Sequence, residues 1–197
     1  FDISLDEDLN IYVTGYRSKK YNPNFSIYYI FTYTRVKYNS SGVEQGTIHY
    51  NYFDYFYSNY SGMSGYSPVV VLDSGNVYVT NIAAGGQCIT IKYDINGNKK
   101  WDVRYDGAAN SRCEAAAMAV DVMGNIYVTG NDFHLGQSTY ATTVKFNSSG
   151  AQEWVVRYCG DELGGSFNPH ALTTDADGNV YVVGTSYSSI TNFDYAI

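Results

Sequence analysis

"VDVMGNIYVTG", residues 120–130, reads as a turn followed by a strand. Asp, Gly and Asn tolerate the backbone conformations of a tight reversal, and Ile126, Tyr127, Val128 and Thr129 alternate in the two-residue period of a pleated strand. The stretch has three relatives in the same chain: "LDEDLNIYVTG" at 5–15, "LDSGNVYVT" at 72–80 and "TDADGNVYVVG" at 174–184. A second motif recurs downstream as "TRVKYNSSG" from Thr34, "TIKYDINGN" from Thr90 and "TVKFNSSG" from Thr143. A third recurs as "GTIHY" from Gly46, "WDVRY" from Trp101 and "WVVRY" from Trp154. A period of roughly 50 to 65 residues suits a propeller blade and is too long for most solenoids.

Each unit reads as four short strands. Strand A is "FDISLD", "PVVVL", "AAAMAVD" or "PHALTTD"; strand B is the "YVTG" strand; strand C carries the "KY" or "KF" pair; strand D carries the Trp and the "RY" pair. Short Gly, Asn, Asp and Ser turns separate A from B and C from D, as hairpins require. In "IYVTG", Ile11 and Val13 point one way and Tyr12 and Thr14 the other, so both faces need cover, which radial packing of sheet on sheet supplies. Small residues such as Ala116, Ala117, Ala119 and Ala171 suit the crowded axis. The expected fold is all-β: a single β-propeller segment of four-stranded antiparallel blades over 1–197. About three and a half blades are expected, at roughly 1–60, 66–106, 115–160 and 168–197.

These residues resemble the bacterial and archaeal β-propeller family called SBBP repeats. Its units look like "A-x-A-V-D-x-x-G-N-x-Y-V-T-G … D-Y-A-T-I-K-Y-x-x-x-G … W-x-x-R-Y-x-G". The resemblance covers nearly the whole chain and is strongest over residues 113–160, through "AAAMAVDVMGNIYVTG", "YATTVKFNSSG" and "EWVVRYCG". The first unit departs from the pattern: Gly46 stands where Trp101 and Trp154 stand, His49 replaces Arg104 and Arg157, and the connection after Gly15 is long. The resemblance implies a propeller in a surface or secreted context, and no single activity.

Composition agrees. Only 16% of residues are charged and Tyr reaches 22, a content that favours pleated, half-buried surfaces over disorder. A net charge of -7, with "RSKK" at 17–20 as the longest basic run, disfavours nucleic acid, because neutralising phosphates takes clustered Lys and Arg. No apolar run reaches the 18 residues of a membrane span, and no basic-then-apolar leader opens the sequence, so a leader is either removed or upstream. Cys88, Cys113 and Cys159 lack a C-x-x-C pair, which argues against a zinc or iron–sulfur cage; one disulfide in any of three pairings, or three free thiols, are the alternatives. Sequons at Asn24, Asn39, Asn59 and Asn147 permit glycosylation and give weak support to an extracellular or cell-surface location.

"DADGN" at 175–179 raises the question of calcium, since oxygen ligands at alternate positions ahead of a glycine suit a hard cation. Asp175, Asp177 and Asn179 are the best metal candidates, with Asp6, Asp8 and Asn10 second. The related copies place Leu72 or Met123 at positions where such a loop needs a carboxylate, so the motif reads chiefly as a turn and no other cofactor is in view.

Successive connections in a meander alternate between the two ends of the sheet. The A–B and C–D turns are uniform. The B–C connections (16–32, 81–87, 131–138, 185–192) and D–A connections (51–67, 106–114, 159–168) vary and form the candidate binding face. Tyr52, Phe53, Tyr55, Phe56, Tyr57, Tyr60, Tyr28 and Tyr29 are the candidate contacts, because Tyr mixed with Ser, Gly and Asn supplies rigid contact area beside adaptable hydrogen bonds. The plainer reading has these rings cover the propeller's end. Asp54, Asp106, Glu114, Asp132, Asp161 and Glu162 offer no evident catalytic pair, and His49, His134 and His170 lack metal-ligand spacing. The expectation is a non-catalytic module binding a protein or glycan; the alternatives are a carbohydrate-active glycosidase or lyase, and a purely structural envelope or filament repeat. "FDYAI" at 193–197 aligns inside strand C, so the rest of the propeller is expected from the same polypeptide or another chain. Two copies would not complete each other's broken blade, as neither supplies its strand D.

Overall fold

A computed structural model describes residues 2–5, 8–21, 28–53, 69–73, 75–82, 86–107, 111–134, 140–159, 166–188 and 192–196. They form β1 (Asp2–Leu5), β2 (Ile11–Tyr21), β3 (Tyr28–Tyr38), β4 (Glu44–Phe53), β5 (Val69–Asp73), β6 (Asn76–Ile82), β7 (Cys88–Tyr93) and β8 (Lys99–Tyr105). β9 (Ser111–Val120), β10 (Ile126–His134), β11 (Tyr140–Phe146), β12 (Gln152–Tyr158), β13 (Ser166–Thr174), β14 (Val180–Ser188) and β15 (Asn192–Ala196) follow, with no helix among the described residues. The all-β expectation holds. The strands hydrogen-bond in chain order into sheet I (β1–β4), sheet II (β5–β8), sheet III (β9–β12) and the three-stranded sheet IV (β13–β15). Two compact units divide the chain, Phe1–Val79 with Thr90–Asp102 and Thr80–Ile89 with Val103–Ile197, so sheet II contributes to both.

Five turns share one construction, starting at Asn39, Asp94, Asp121, Asn147 and Asp175. The first residue's N–H donates to the carbonyl four residues on, and the glycine three residues on donates back to the first residue's carbonyl, at 2.8–3.2 Å. The first residue's side-chain oxygen accepts the backbone N–H groups two and four residues on, at 2.8–3.0 Å. The glycines have φ of 76–90°, which makes each reversal a type I turn closed by a glycine bulge. In sheet I the corresponding position is Leu9, at φ 61°.

The glycine that ends "YVTG" answers a different need. Register slips between Thr129 and Gly130, where β9 contributes an extra residue, Ala116; it slips again opposite β14 between Pro169 and Ala171, around His170. At these bulges the backbones approach so closely that a Cβ on Gly130 would overlap the Glu114 carbonyl, and one on Gly184 would overlap that of Asn168. Pro169 is tolerated in a strand because it sits at the bulge.

Across sheets I, II and III the motifs meet as side-chain ladders. Lys37, Lys92 and Lys145 lie 5.1, 5.1 and 5.5 Å from the ring centres of Tyr12, Tyr78 and Tyr127. Trp101 and Trp154 pack on Tyr78 and Tyr127 at 6.3 and 5.9 Å between ring centres. In sheet I, Lys37 pairs with Gly46 in place of a Trp, and Arg35 also lies over Tyr12, at 5.2 Å. Within the first unit, buried Arg35 donates to the carbonyls of Gly75 and Ile95, at 2.7 and 2.6 Å, and so ties sheet I to the turns of sheet II.

One expectation needs correction. Strands run into most of the stretches read as connections: β6 reaches Ile82, β9 begins at Ser111, β10 reaches His134, β13 begins at Ser166 and β14 reaches Ser188. The largest difference is at residues 16–32, where β2 and β3 stay paired through Tyr21 and Tyr28, and β4 continues to Phe53. The run is rich in Tyr, Ile, Phe and Thr, and this strand-forming content outweighed the comparison with shorter copies.

Replacing Gly130 by Ala forces the β9–β10 bulge apart and is expected to cost about 3 kcal/mol. Urea unfolding at fixed m-value measures it, with Gly42→Ala as a comparison that carries only the left-handed backbone cost of about 1 kcal/mol, since its added Cβ would meet nothing within 4 Å.

Candidate functional site

Polar groups from sheets II, III and IV gather in the second unit at the strand ends that carry the B–C and D–A connections. Tyr105 closes β8, Asp132 lies near the end of β10 opposite Cys113, and Arg157 lies near the end of β12 opposite Thr142. Arg157 Nη2 donates to the Tyr105 hydroxyl at 2.7 Å, and its Nε stands 3.7 Å from Asp132 Oδ2. The Tyr105 hydroxyl lies 3.4 Å from the same carboxylate oxygen. Asp132 is buried, whereas Arg157 keeps part of its side chain in solvent. Burial raises the Tyr105 phenol's pKa, the Asp132 charge adds to this, and Arg157 opposes it.

A second set surrounds this one. Gln87 bonds Asp106 and accepts from Arg104 at 3.2 Å, and Asn131 Nδ2 donates to Asn168 Oδ1 at 2.6 Å. Burial raises the Glu114 pKa, with Arg112 opposing. Cys88 of β7 and Cys113 of β9 form a disulfide, and the Cys113 N–H donates to the Gly86 carbonyl at 2.8 Å. Of the three pairings the sequence left open, this one joins neighbouring sheets. A separation of 25 residues corresponds to about 3.5 kcal/mol of unfolded-chain entropy removed. Cys159 is free and half-buried.

The sequence candidates fall elsewhere. Tyr28 and Tyr29 lie on β3, and Tyr52 and Phe53 on β4, so these four are strand residues rather than loop residues; β4 pairs Tyr52 with Phe31 and Phe53 with Ile30. Tyr55, Phe56, Tyr57 and Tyr60 lie outside the described residues, as do Asp6, Asp54, Asp161 and Glu162. His49 and His170 share hydrogen bonds with Thr34 and Thr185, at 3.0 and 3.2 Å.

Asp175, Asp177 and Asn179 form one of the five turns. The Asp175 carboxylate accepts the N–H groups of Asp177 and Asn179, the Asn179 amide at 2.7 Å and the Tyr181 hydroxyl at 3.0 Å. Asp177 therefore brings its backbone, and a cation would have to displace four donors. Among the described residues no three His, Cys, Asp or Glu side chains gather as a metal site requires. The Asn179 bonds hold the Asp175 carboxyl below the usual Asp range despite some desolvation. At Asp121, desolvation pushes upward, yet bonds from Asn125, Tyr127 and Met123 prevail and its pKa is also lowered.

The buried polar group was only half visible beforehand. The sequence shows "RY" as a recurring pair and Asp132 as one acid among six; the clasp between Arg157 and the Tyr105 of another strand set depends on sheet spacing that no local pattern records.

A double-mutant cycle tests the clasp. Tyr105→Phe is expected to cost about 1.5 kcal/mol and Arg157→Met about 2 kcal/mol, with the double variant less destabilised than their sum because both remove one charge-assisted bond. For the turns, a lowered folded-state pKa means the stabilisation is complete above the unfolded Asp value of about 3.9 and is lost as pH falls through the folded one. The melting-temperature gap between the parent and Asp121→Asn is therefore expected to be largest at neutral pH and to shrink on acidification.

No curated protein matches the chain in sequence. Among similar solved structures is the crystal structure of a protein of unknown function from Bacteroides caccae, with a TM-score of 0.40 and 12% identity, matched over 93% of this chain. This chain spans 60% of that protein's length. Residues 156–194, from β12 through β13 and β14 into β15, match the family model of the SBBP β-propeller repeat.

Proposed function

We propose that the chain is a segment of a β-propeller with four-stranded blades in a secreted or cell-surface protein. In this reading it is a non-catalytic module that binds a protein or glycan through the strand ends carrying the B–C and D–A connections. The observation that carries the reading is the contrast between the two ends of the sheets. At one end, five turns repeat a single hydrogen-bond scheme and offer little variety to a ligand. At the other, the Tyr105–Asp132–Arg157 group and the Gln87–Asp106 pair stand beside connections that differ in length and composition. Loops and strand ends on a rigid scaffold are where recognition usually resides. The Cys88–Cys113 disulfide supports an oxidising compartment.

The aromatic contacts proposed are Tyr28, Tyr29, Tyr52, Phe53, Tyr55, Phe56, Tyr57 and Tyr60, of which Tyr28 and Tyr29 lie on β3 and Tyr52 and Phe53 on β4. Binding to immobilised polysaccharides and surface proteins is expected to fall at least about tenfold, or about 1.4 kcal/mol, in Tyr52→Ala/Tyr55→Ala/Tyr57→Ala, with the melting temperature kept. Unchanged binding would refute the aromatic site, and new reducing ends or unsaturated products from the polysaccharides would favour a glycosidase or lyase.

A further inference from the structure

Asp132, Tyr140, Thr142 and Arg157 lie on one face of sheet III. The register sets Asp132 opposite Tyr140, Gly130 opposite Thr142, and Thr142 opposite Arg157. Directly opposed residues project to the same side of a sheet, as do residues two apart on one strand. Gly130, in the middle of the set, adds no side chain. Cys113 lies opposite Asp132 on the same face, and its bond to Cys88 fixes that row to the neighbouring strands of the second unit.

Two details are out of keeping with a purely structural clasp. Thr142 is 5% exposed, and among the described residues its hydroxyl meets no hydrogen-bond partner. A buried hydroxyl of this kind costs stability, and a valine of the same shape would avoid the cost in a strand. The second detail is distance. Asp132 Oδ2 stands 3.4 Å from the Tyr105 hydroxyl and 3.7 Å from Arg157 Nε, against about 2.7–2.9 Å for a charge-assisted hydrogen bond. A guanidinium and a carboxylate so spaced admit a third polar group between them. The strand end is also open to solvent, since Tyr140 is only half-buried and the Arg157 side chain is 40% exposed.

We infer that this end of sheet III is a sugar subsite, which takes a neutral, hydroxyl-bearing ring. The inference rests on the reading of the chain as a binding module and selects a glycan as its ligand. A sugar hydroxyl donates and accepts at once, so one such group accepts from Arg157 while donating to Asp132 Oδ2. A neighbouring hydroxyl pairs with Thr142, and the ring's C–H face lies against the half-buried Tyr140. Arg157 crosses from β12 past Thr142 to reach Asp132, so an outward movement of its part-exposed side chain admits the ring. One guanidinium and one carboxylate offset each other, which leaves neither an anionic nor a cationic sugar favoured. The Cys88–Cys113 bond holds the row in place beforehand and lowers the ordering cost of binding.

Titration calorimetry of the 197-residue chain tests the inference, with glucose-, galactose-, mannose- and xylose-based oligosaccharides as probes and polygalacturonate and chitosan oligomers as charged comparisons. At least one neutral series is expected to bind, more tightly than either charged one. Thr142→Val is expected to weaken that binding about threefold to tenfold while the melting temperature holds or rises, a pairing that a merely structural hydroxyl would not give. Tyr140→Leu, which keeps bulk and loses the flat ring, is expected to weaken it by a similar factor. Circular dichroism checks folding, and Thr142→Val decides alone if Tyr140→Leu is not folded. Neutral oligosaccharides that bind Thr142→Val as tightly as the parent overturn the subsite and leave the binding-module reading standing. Binding of a surface protein but of no saccharide does the same, and a preference for either charged oligomer overturns the neutral assignment. Binding of neither class overturns both the subsite and the module reading.

Discussion

A sheet with apolar or aromatic groups on both faces is stable in water only when something lies on each face, and the rest of this molecule depends on that requirement. Tyr78 and Tyr127 are buried together with Val77, Val79, Ile126 and Val128 on the alternate positions of the same strands, so the strand B of sheets II and III has no wet side. The Lys and Trp of the repeat serve this burial from within the sheet. Lysine stems and ammonium groups lie over the tyrosine rings, and Trp101 and Trp154 extend the cover toward the outer strand. Where Gly46 replaces the tryptophan, Arg35 comes over the ring instead and donates through its two terminal nitrogens to the carbonyls of Gly75 and Ile95. A buried guanidinium is tolerable there because those carbonyls accept from it.

Polar groups at the strand ends meet the same demand differently. Asp132 is buried where sheets converge in the second unit, and it is offset by Arg157, which is anchored by Tyr105. The Cys88–Cys113 bond crosses between strands nearby. The disulfide and the Arg157–Asp132 pair thus lie at the end opposite the repeated turns. Strand ends that would otherwise splay are held, and the connections beyond them are left to vary.

Much of the fold was legible because a repeated sequence exposes its own grammar. The turns at Asp94, Asp121, Asn147 and Asp175 could be read from a short polar residue three places before a glycine, and the strands from alternation. The glycine of "YVTG" was visible as a motif, but its reason was not: the overlap with the Glu114 carbonyl arises from a bulge in a partner strand. The long β2–β3 hairpin was missed because shorter copies suggested a loop where Tyr16 to Tyr21 pair with Tyr28 to Tyr33. Four of the aromatic candidates proved to be strand residues for the same reason. The polar group around Asp132 was least legible, since its members come from three separate strands and are united only by packing.

Leu9 holds a backbone conformation that costs a non-glycine residue about 1–2 kcal/mol, at a place where its sister turns keep glycine. The repeat can therefore lose its most diagnostic residue without losing the reversal, because the paired strands on either side dictate the path. Such a turn is a record of divergence rather than a defect: once neighbouring contacts over-determine a corner, its glycine is free to drift, and the oldest signal of kinship fades while the architecture stays in place.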